Sequence, residues 1–420
     1  MLLAWRATGS RGITGLIHPS THLTGTKDAQ LRKSAYHHLR LHADFVNELY
    51  LFAKPVDHST HFSMNIYGPE REIDFQHASW LMHPTTLTRS LQHDDSGPVP
   101  GIKKYDEQAG KYVWDLQPHR RRIVTVTSST LADWRDLAAE EEPVPEDEAR
   151  LLFPVTADEE SAITAIAKWP YRVGSKDPLI SIGFHEKNDR AAGHFEWKPG
   201  KVADWNDVIL QGPFFGVANP FAKQPIEGAL TSSDLERWDH TTLPEDAVPR
   251  TSYRRQRSMI DFKSAHTTWL DREEFAAMAL DTDKLATVRE SILDKNLNLP
   301  EQELEQAIQE QLRRESEHPY SDFFRVAWRV MNRPKNERVL QACLIPPGPA
   351  HVDAVRSMAL DTAEETALMC GFFSGLPSEY LLRITNRTHM DVSHAKVFPA
   401  PTSGTRSPPP SCCGSSDSTP

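Results

Sequence analysis

Along the first 130 residues the spacing of apolar positions changes repeatedly, and each change predicts an element. Residues 12–18 (GITGLIH) are a short apolar run entered through glycines and closed by Pro19, which reads as a strand, with Ser20 and Thr21 free to cap the next element. In residues 28–42 (DAQLRKSAYHHLRLH), Leu31, Ala35, Leu39 and His42 recur at helical spacing and predict a helix. Two further runs, 45–52 (FVNELYLF) and 63–68 (SMNIYG), read as strands, the second closed by Gly68 and Pro69. Strand, helix, strand and strand in that order point to the trailing edge of an α/β sheet. Residues 93–117 are rich in turn formers and predict a long surface loop. A short strand at 123–126 comes after it, and Ser128, Ser129 or Thr130 can cap a helix over 131–142.

The acidic, proline-containing run at 140–148 (EEEPVPEDE) suggests a boundary between residues 140 and 154, dividing the chain into 1–145 and 146–398. A helix at 158–168 opens the second part, followed by short β segments at 179–184, 194–197 and 208–210. From 262 to 333 the pattern is helical, with Glu301, Glu303 and Glu305 placed to suit the positive end of a helix beginning at Pro300. Within it, residues 319–331 (PYSDFFRVAWRVM) put Phe323, Ala327, Val330 and Met331 on one helical face and Arg325 and Arg329 near another. That pattern suits a core helix with exposed arginines, or a helix laid along a phosphate backbone. A strand at 341–348 and a buried helix at 362–373 come next, and the Pro- and Ser-rich residues 399–420 have too little to bury for order.

One stretch combines both kinds of signal. In residues 205–225 (WNDVILQGPFFGVANPFAKQP), Val208, Ile209 and Leu210 predict a buried strand, and Gly212 and Pro213 then turn the chain into a loop. Phe214, Phe215 and Phe221 offer stacking faces, and Gln211, Asn219, Lys223 and Gln224 offer donors and acceptors of the kind that read base edges. The plainer account is a core strand with aromatic anchors.

Composition narrows the classes. With 420 residues and 39% hydrophobic content, two domains with real cores are expected. No apolar run approaches the roughly 18 residues of a membrane helix, the N-terminus lacks the layout of a secretion signal, and four cysteines give neither a disulfide framework nor a metal spacing, so a cytoplasmic protein is expected. A net charge of -11 argues against a non-specific nucleic-acid coat but leaves room for a local basic groove. Basic clusters stand at 119–122 (HRRR), 250–257 (RTSYRRQR) and 325–338, and Arg250, Arg254, Arg255 and Arg257 are candidates to hold phosphates. The plainer reading of each cluster is a solvated face.

Catalytic motifs are missing. The chain has no GxGxxG, no P-loop and no GxSxG. His18 with His22 and His38 with His42 are four apart, but Pro19 interrupts the first pair and no further ligand joins the second, so no metal site is assigned. The polar patch His185, Glu186 and Lys187 is a weak candidate for a metal-dependent hydrolase and reads more simply as a salt-bridged turn.

Longer segments carry a resemblance. Residues 12–52, 80–103 (WLMHPTTLTRSLQHDDSGPVPGIK), 114–126 (WDLQPHRRRIVTV), 183–197 (GFHEKNDRAAGHFEW), 207–225, 243–253 (LPEDAVPRTSY) and 344–355 (LIPPGPAHVDAV) resemble the C-terminal half of large bacterial adenine-specific DNA methyltransferases of the type IIG restriction-modification and phage-defence kinds. The resemblance implies an α/β chain: the trailing part of a class I methyltransferase-like sheet, then a mixed α+β target-recognition region. It also implies methyl transfer from S-adenosylmethionine to N6 of a flipped-out adenine in double-stranded DNA. The family's Gly-rich cofactor loop and Asn-Pro-Pro-aromatic motif lie upstream of the strand that here begins at Gly12. Residues 218–221 (ANPF) lack the second proline, so no catalytic residue is carried over. The expectation is therefore a DNA-recognition chain that does not transfer methyl groups or bind S-adenosylmethionine by itself, working with a separately encoded catalytic half. The alternatives are a non-catalytic remnant or protein-interaction scaffold of a defence complex, and an independent hydrolase.

Overall fold

The computed structural model describes residues 1–25, 27–137, 144–295, 299–332, 338–385 and 389–402. The fold is mixed α/β and forms two compact units: Met1–Gly174 with Val330–Leu340 and Leu376–Phe398, and Ser175–Arg329 with Gln341–Gly375 and the residues from Pro399. Among the described residues no helix is long and apolar enough to cross a membrane.

The first unit is built on five strands: β1 (Thr14–His18), β2 (Leu39–Val46), β3 (His61–Tyr67) and β4 (Asp74–Leu81), with β7 (Val124–Thr127) arriving after a separate hairpin of β5 (Lys103–Asp106) and β6 (Lys111–Trp114). Their order is β1-β3-β2-β4-β7, with β3 antiparallel to β1 and β2, β2 parallel to β4, and β7 antiparallel to β4. Alternation along the strands sorts the two faces. Ala43, Phe45, Ala78 and Leu81 pack with Leu87 and Ile123 on one face. The other face buries His42, Asp44, Ser63, Asn65, His77 and Ser79.

Several expected elements differ from those observed. The helix expected over 28–42 is Ala29–His38, and the chain passes directly into β2, because from Leu39 the apolar residues Leu41, Ala43 and Phe45 alternate with period two. The strand expected at 45–52 therefore ends at Val46. The strand β4 lies inside the sheet, yet its sequence DFQHASWL puts a histidine and a serine at buried positions and hides the pattern. The loop expected over 93–117 contains the β5–β6 hairpin, turning at Gly110 with φ 61°.

Residues 146–174 belong to the first unit and not to the second part of the chain, because 149–154 lies against the polar sheet face. The Tyr36 hydroxyl donates to the Ala149 carbonyl at 2.7 Å, Trp80 Nε1 to Phe153 at 3.0 Å and Ser79 Oγ to Pro154 at 2.5 Å. Residues 138–143 of the acidic run and 403–420 of the tail lie outside the described residues.

The second unit contains β8 (Leu179–Ser181), β9 (Phe195–Lys201), β10 (Ile209–Leu210), β11 (Lys223–Pro225), β12 (Leu235–Arg237), β13 (Arg250–Arg255), β14 (Thr268–Leu270), β15 (Glu317–Pro319), β16 (Arg325–Arg329), β17 (Ala342–Ile345), β18 (Ala350–His351) and β19 (Val355–Ala359). An antiparallel sheet of order β17-β16-β19-β8 carries the helix Ala363–Phe373, whose Phe373 meets Trp328 edge-on at 5.8 Å. The helices Arg272–Leu280, Thr282–Lys295 and Glu301–Glu315 share a separate small core of Val288, Leu304, Ile308 and Leu312.

The helix expected over 319–331 is instead the last residue of β15, a single 3-10 turn at Tyr320–Asp322 and then β16. Residues 325–328 are all buried between β17 and β19, and a strand covered on both faces shows no two-residue alternation. The helical character expected over 262–333 thus ends at Glu315.

Candidate nucleic-acid interface

In the second unit, β10 is the strand predicted at 208–210, and it pairs in parallel with β18. Its residues alternate between two cores. Ile209 packs with Phe184, Phe195, Tyr253, Phe262, Ala350 and Val352, while Leu210 joins Val208, Phe214, Phe215, Phe221 and Ile345. Gly183 sits where β8 turns towards this region, at φ 70°, and a Cβ there would lie 2.4 Å from the His351 carbonyl oxygen, so only glycine fits.

This arrangement decides the roles of the 205–225 residues. Phe214, Phe215 and Phe221 are 2%, 4% and 6% exposed, so their rings are core anchors and have no free face for a base. Phe221 is held edge-on by Trp205 at 5.2 Å and Trp238 at 5.8 Å. Gln211 is buried as well. Gln224 is also buried, its Nε2 donating to Glu236 at 2.9 Å and its Oε1 accepting from the Arg250 backbone at 3.1 Å. Asn219 Oδ1 accepts from the Phe221 backbone at 2.9 Å, and its Nδ2 lies 3.0 Å from His240 Nε2. Lys223 is exposed. The base-contacting roles expected for the three phenylalanines, Gln211 and Gln224 are therefore corrected: these side chains are spent on packing and internal hydrogen bonds.

The arginines expected to hold phosphates also divide. Arg250 Nε donates to the Pro225 carbonyl at 2.8 Å, and its guanidinium pairs with Glu236. Arg255 pairs with Asp207 at 2.8 Å. Arg257 donates to the Ala192 carbonyl at 2.8 Å while remaining exposed. The Arg254 side chain makes no hydrogen bond or ion pair among the described residues and lies over Gly200, its Nη2 3.3 Å from where a Cβ of that glycine would be.

Each of the other two basic clusters contributes one buried arginine that serves as an internal support, while Arg120 and Arg121 stay exposed. Arg122 is buried and donates to the carbonyls of Gln117, Gly101 and Asp115. Arg325 is buried, donates to the carbonyls of Phe323 and Pro349 and stacks over Tyr320 at 5.0 Å, and burial lowers its guanidinium pKa to about 10. Residues 333–337 lie outside the described residues.

The hydrolase candidate resolves into a turn. His185 Nδ1 accepts from the Asn188 backbone at 3.3 Å to cap a six-residue helix, and Glu186 accepts from the Tyr253 hydroxyl, whose pKa burial pushes up. No cluster of three or more His, Cys, Asp or Glu side chains among the described residues is placed to hold a metal ion. The helical His38/His42 spacing does not exist either, since the helix ends at His38.

Residues that the sequence did not bring forward stand next to these arginines on β9, paired antiparallel with β13. Glu196 and Lys198 stand beside Arg254 and Gln256, and Gln256 Nε2 donates to Glu196 at 3.3 Å. Their signal in FEWKPGK was the alternation of Phe195 and Trp197 with Glu196 and Lys198.

No protein-family model and no curated protein sequence matches the chain. Among solved structures, the type IIG restriction endonuclease BpuSI matches over 94% of this chain at 11% identity and a TM-score of 0.27. The chain spans 40% of that protein's length. A likeness so slight establishes neither a common fold nor a common activity.

Proposed function

We propose that this chain is the DNA-recognition part of an S-adenosylmethionine-dependent N6-adenine DNA methyltransferase from a restriction-modification or phage-defence system. In this reading it acts in the cytoplasm, on double-stranded DNA, with a catalytic half supplied separately. One observation carries the reading beyond the sequence resemblance. Four of the family-like segments, separated by up to about 150 residues of chain, converge on the two cores around β10: 183–197 through Phe184 and Phe195, 207–225 through Ile209, Leu210 and the phenylalanines, 243–253 through Tyr253, and 344–355 through Ile345, Val352 and Val355. Segments that pack on one another are constrained as a unit, which is what a single recognition module requires.

S-adenosylmethionine belongs to the catalytic half in this reading, because the chain has neither the Gly-rich loop nor the Asn-Pro-Pro-aromatic motif that would hold and use it. No residue here is assigned a step in methyl transfer. The test is fluorescence anisotropy with duplex DNA across a salt series, with and without S-adenosylmethionine and a catalytic partner. Salt-dependent binding that strengthens with the partner, together with methyl incorporation only in its presence, is the expected result. No binding under any of these conditions would overturn the proposal and favour the scaffold.

A further inference from the structure

We infer that the two-stranded ribbon of β9 and β13 is the element that enters the major groove of DNA, with Arg254 reading a guanine and Gln256 an adjacent base. The inference rests on the DNA-recognition reading above and names the surface that carries it. The ribbon has a distinct inside and outside. Tyr253 packs edge-on against Phe195 at 5.0 Å and Trp197 at 5.4 Å, fixing the inner face. Arg254 stands opposite Glu196 in the register, and Glu196, Lys198, Arg254 and Gln256, of opposite parity, form an outer face at this end of the ribbon, beyond the buried Ser252. The side chains of Lys198 and Glu196 are 70% and 46% exposed.

Three features fit this face to duplex DNA. A two-stranded antiparallel ribbon matches the major groove, about 12 Å wide. The side chains are those with defined base partners there: arginine for guanine O6 and N7, glutamine for adenine N6 and N7, and a carboxylate for the cytosine amino group. The charge is complementary on balance: Lys198 lies 3.9 Å from Glu196 on this face, the exposed Lys201 and half-buried Arg254 add positive charge with no acidic partner among the described residues, and Arg255 is neutralised by Asp207. The backbone supports this. A register shift between Thr251 and Tyr253 sharpens the ribbon's twist, and the missing side chain at Gly200, φ 150°, leaves room for the Arg254 guanidinium.

The experiment selects binders from a randomised duplex library with the full chain, together with its catalytic partner where one is required for binding. The Arg254→Ala, Gln256→Ala and Lys198→Ala/Lys201→Ala variants are then compared by sequencing the selected pools and by anisotropy on the preferred duplex. Arg254→Ala is expected to lose preference at one guanine by roughly 5- to 150-fold with the salt slope shifted by no more than about one, and Gln256→Ala to relax an adjacent position. The double lysine variant is expected to weaken all sequences alike and to lower the salt slope by about two. Arg254→Ala and Gln256→Ala pools with the wild-type motif would overturn the ribbon assignment while leaving DNA recognition standing. A wild-type chain that selects no DNA at all would overturn both.

Discussion

The polar face of the first unit's sheet makes a pH prediction that can be worked through from the structure. His42 and His77 stand on neighbouring parallel strands, fully buried, with their Nδ1 atoms 2.8 Å apart. One ring must donate and the other accept, and burial, by penalising the charged imidazolium, keeps the pair neutral. His22 is buried nearby, with His18 4.9 Å from it ring to ring. Burial first of all lowers the pKa of His77 from 6.5 to about 4. Burial, then His18 and Arg32 among other charges, lowers that of His22 to about 4. His42 moves in the same direction, by burial and then by its neighbouring histidines.

Because the folded pKa values lie below the unfolded one, the unfolded chain binds more protons between pH 6.5 and 4. The stability these groups provide is therefore complete above about pH 6.5 and is lost as pH falls towards 4. At about 1.4 kcal/mol per unit, His77 alone accounts for about 3 kcal/mol, and His22 for a similar amount. The assay is urea denaturation at a series of pH values from 8 to 4.5, followed by tryptophan fluorescence, since Trp134 lies edge-on to His77 at 6.3 Å. The variant His42→Leu/His77→Leu should flatten the acid side of the profile. A wild-type stability constant from pH 7 to 5, or an equal slope in the variant, would refute the reasoning.

Other substitutions separate packing from binding in the second unit. Phe221→Ala should cost about 3–5 kcal/mol in denaturant titrations, whereas Lys223→Ala should leave stability within about 0.5 kcal/mol of wild type; the reverse would restore the stacking role for the phenylalanine. Gly183→Ala should destabilise by several kcal/mol because its Cβ would collide with the His351 carbonyl, and near-wild-type unfolding would contradict that geometry. Arg325→Ala should cost about 3 kcal/mol by removing a buried donor from the Phe323 and Pro349 carbonyls, with no change in the salt slope of any DNA binding; a changed slope would return this arginine to the phosphate-contacting set.

Local pattern was enough for several elements. The strand at β10, the helices Glu160–Ala167 and Ala363–Phe373 and the strand β17 were legible because each carries its own period, cap or breaker in a few residues. The mixed α/β class followed from their order. Elements whose identity depends on what covers them were not legible. Residues 325–328 read as a helix face because burial on both sides erases the alternation of a strand, and β4 was invisible because His77 and Ser79 stand at buried positions where apolar residues are the usual occupants.

The candidate site divides along the same line. Sequence alone could gather aromatic, amide and arginine side chains between residues 205 and 257 and name the chemistry each could perform. Only the tertiary structure decided which way they point: Phe214, Phe215 and Phe221 into a core, Arg250 and Arg255 onto Glu236 and Asp207, and Arg254, opposite Glu196 in the ribbon, over Gly200. The physical reason is that a side chain's availability depends on the partners that long-range strand pairing brings within a few ångströms, and no local spacing encodes those partners.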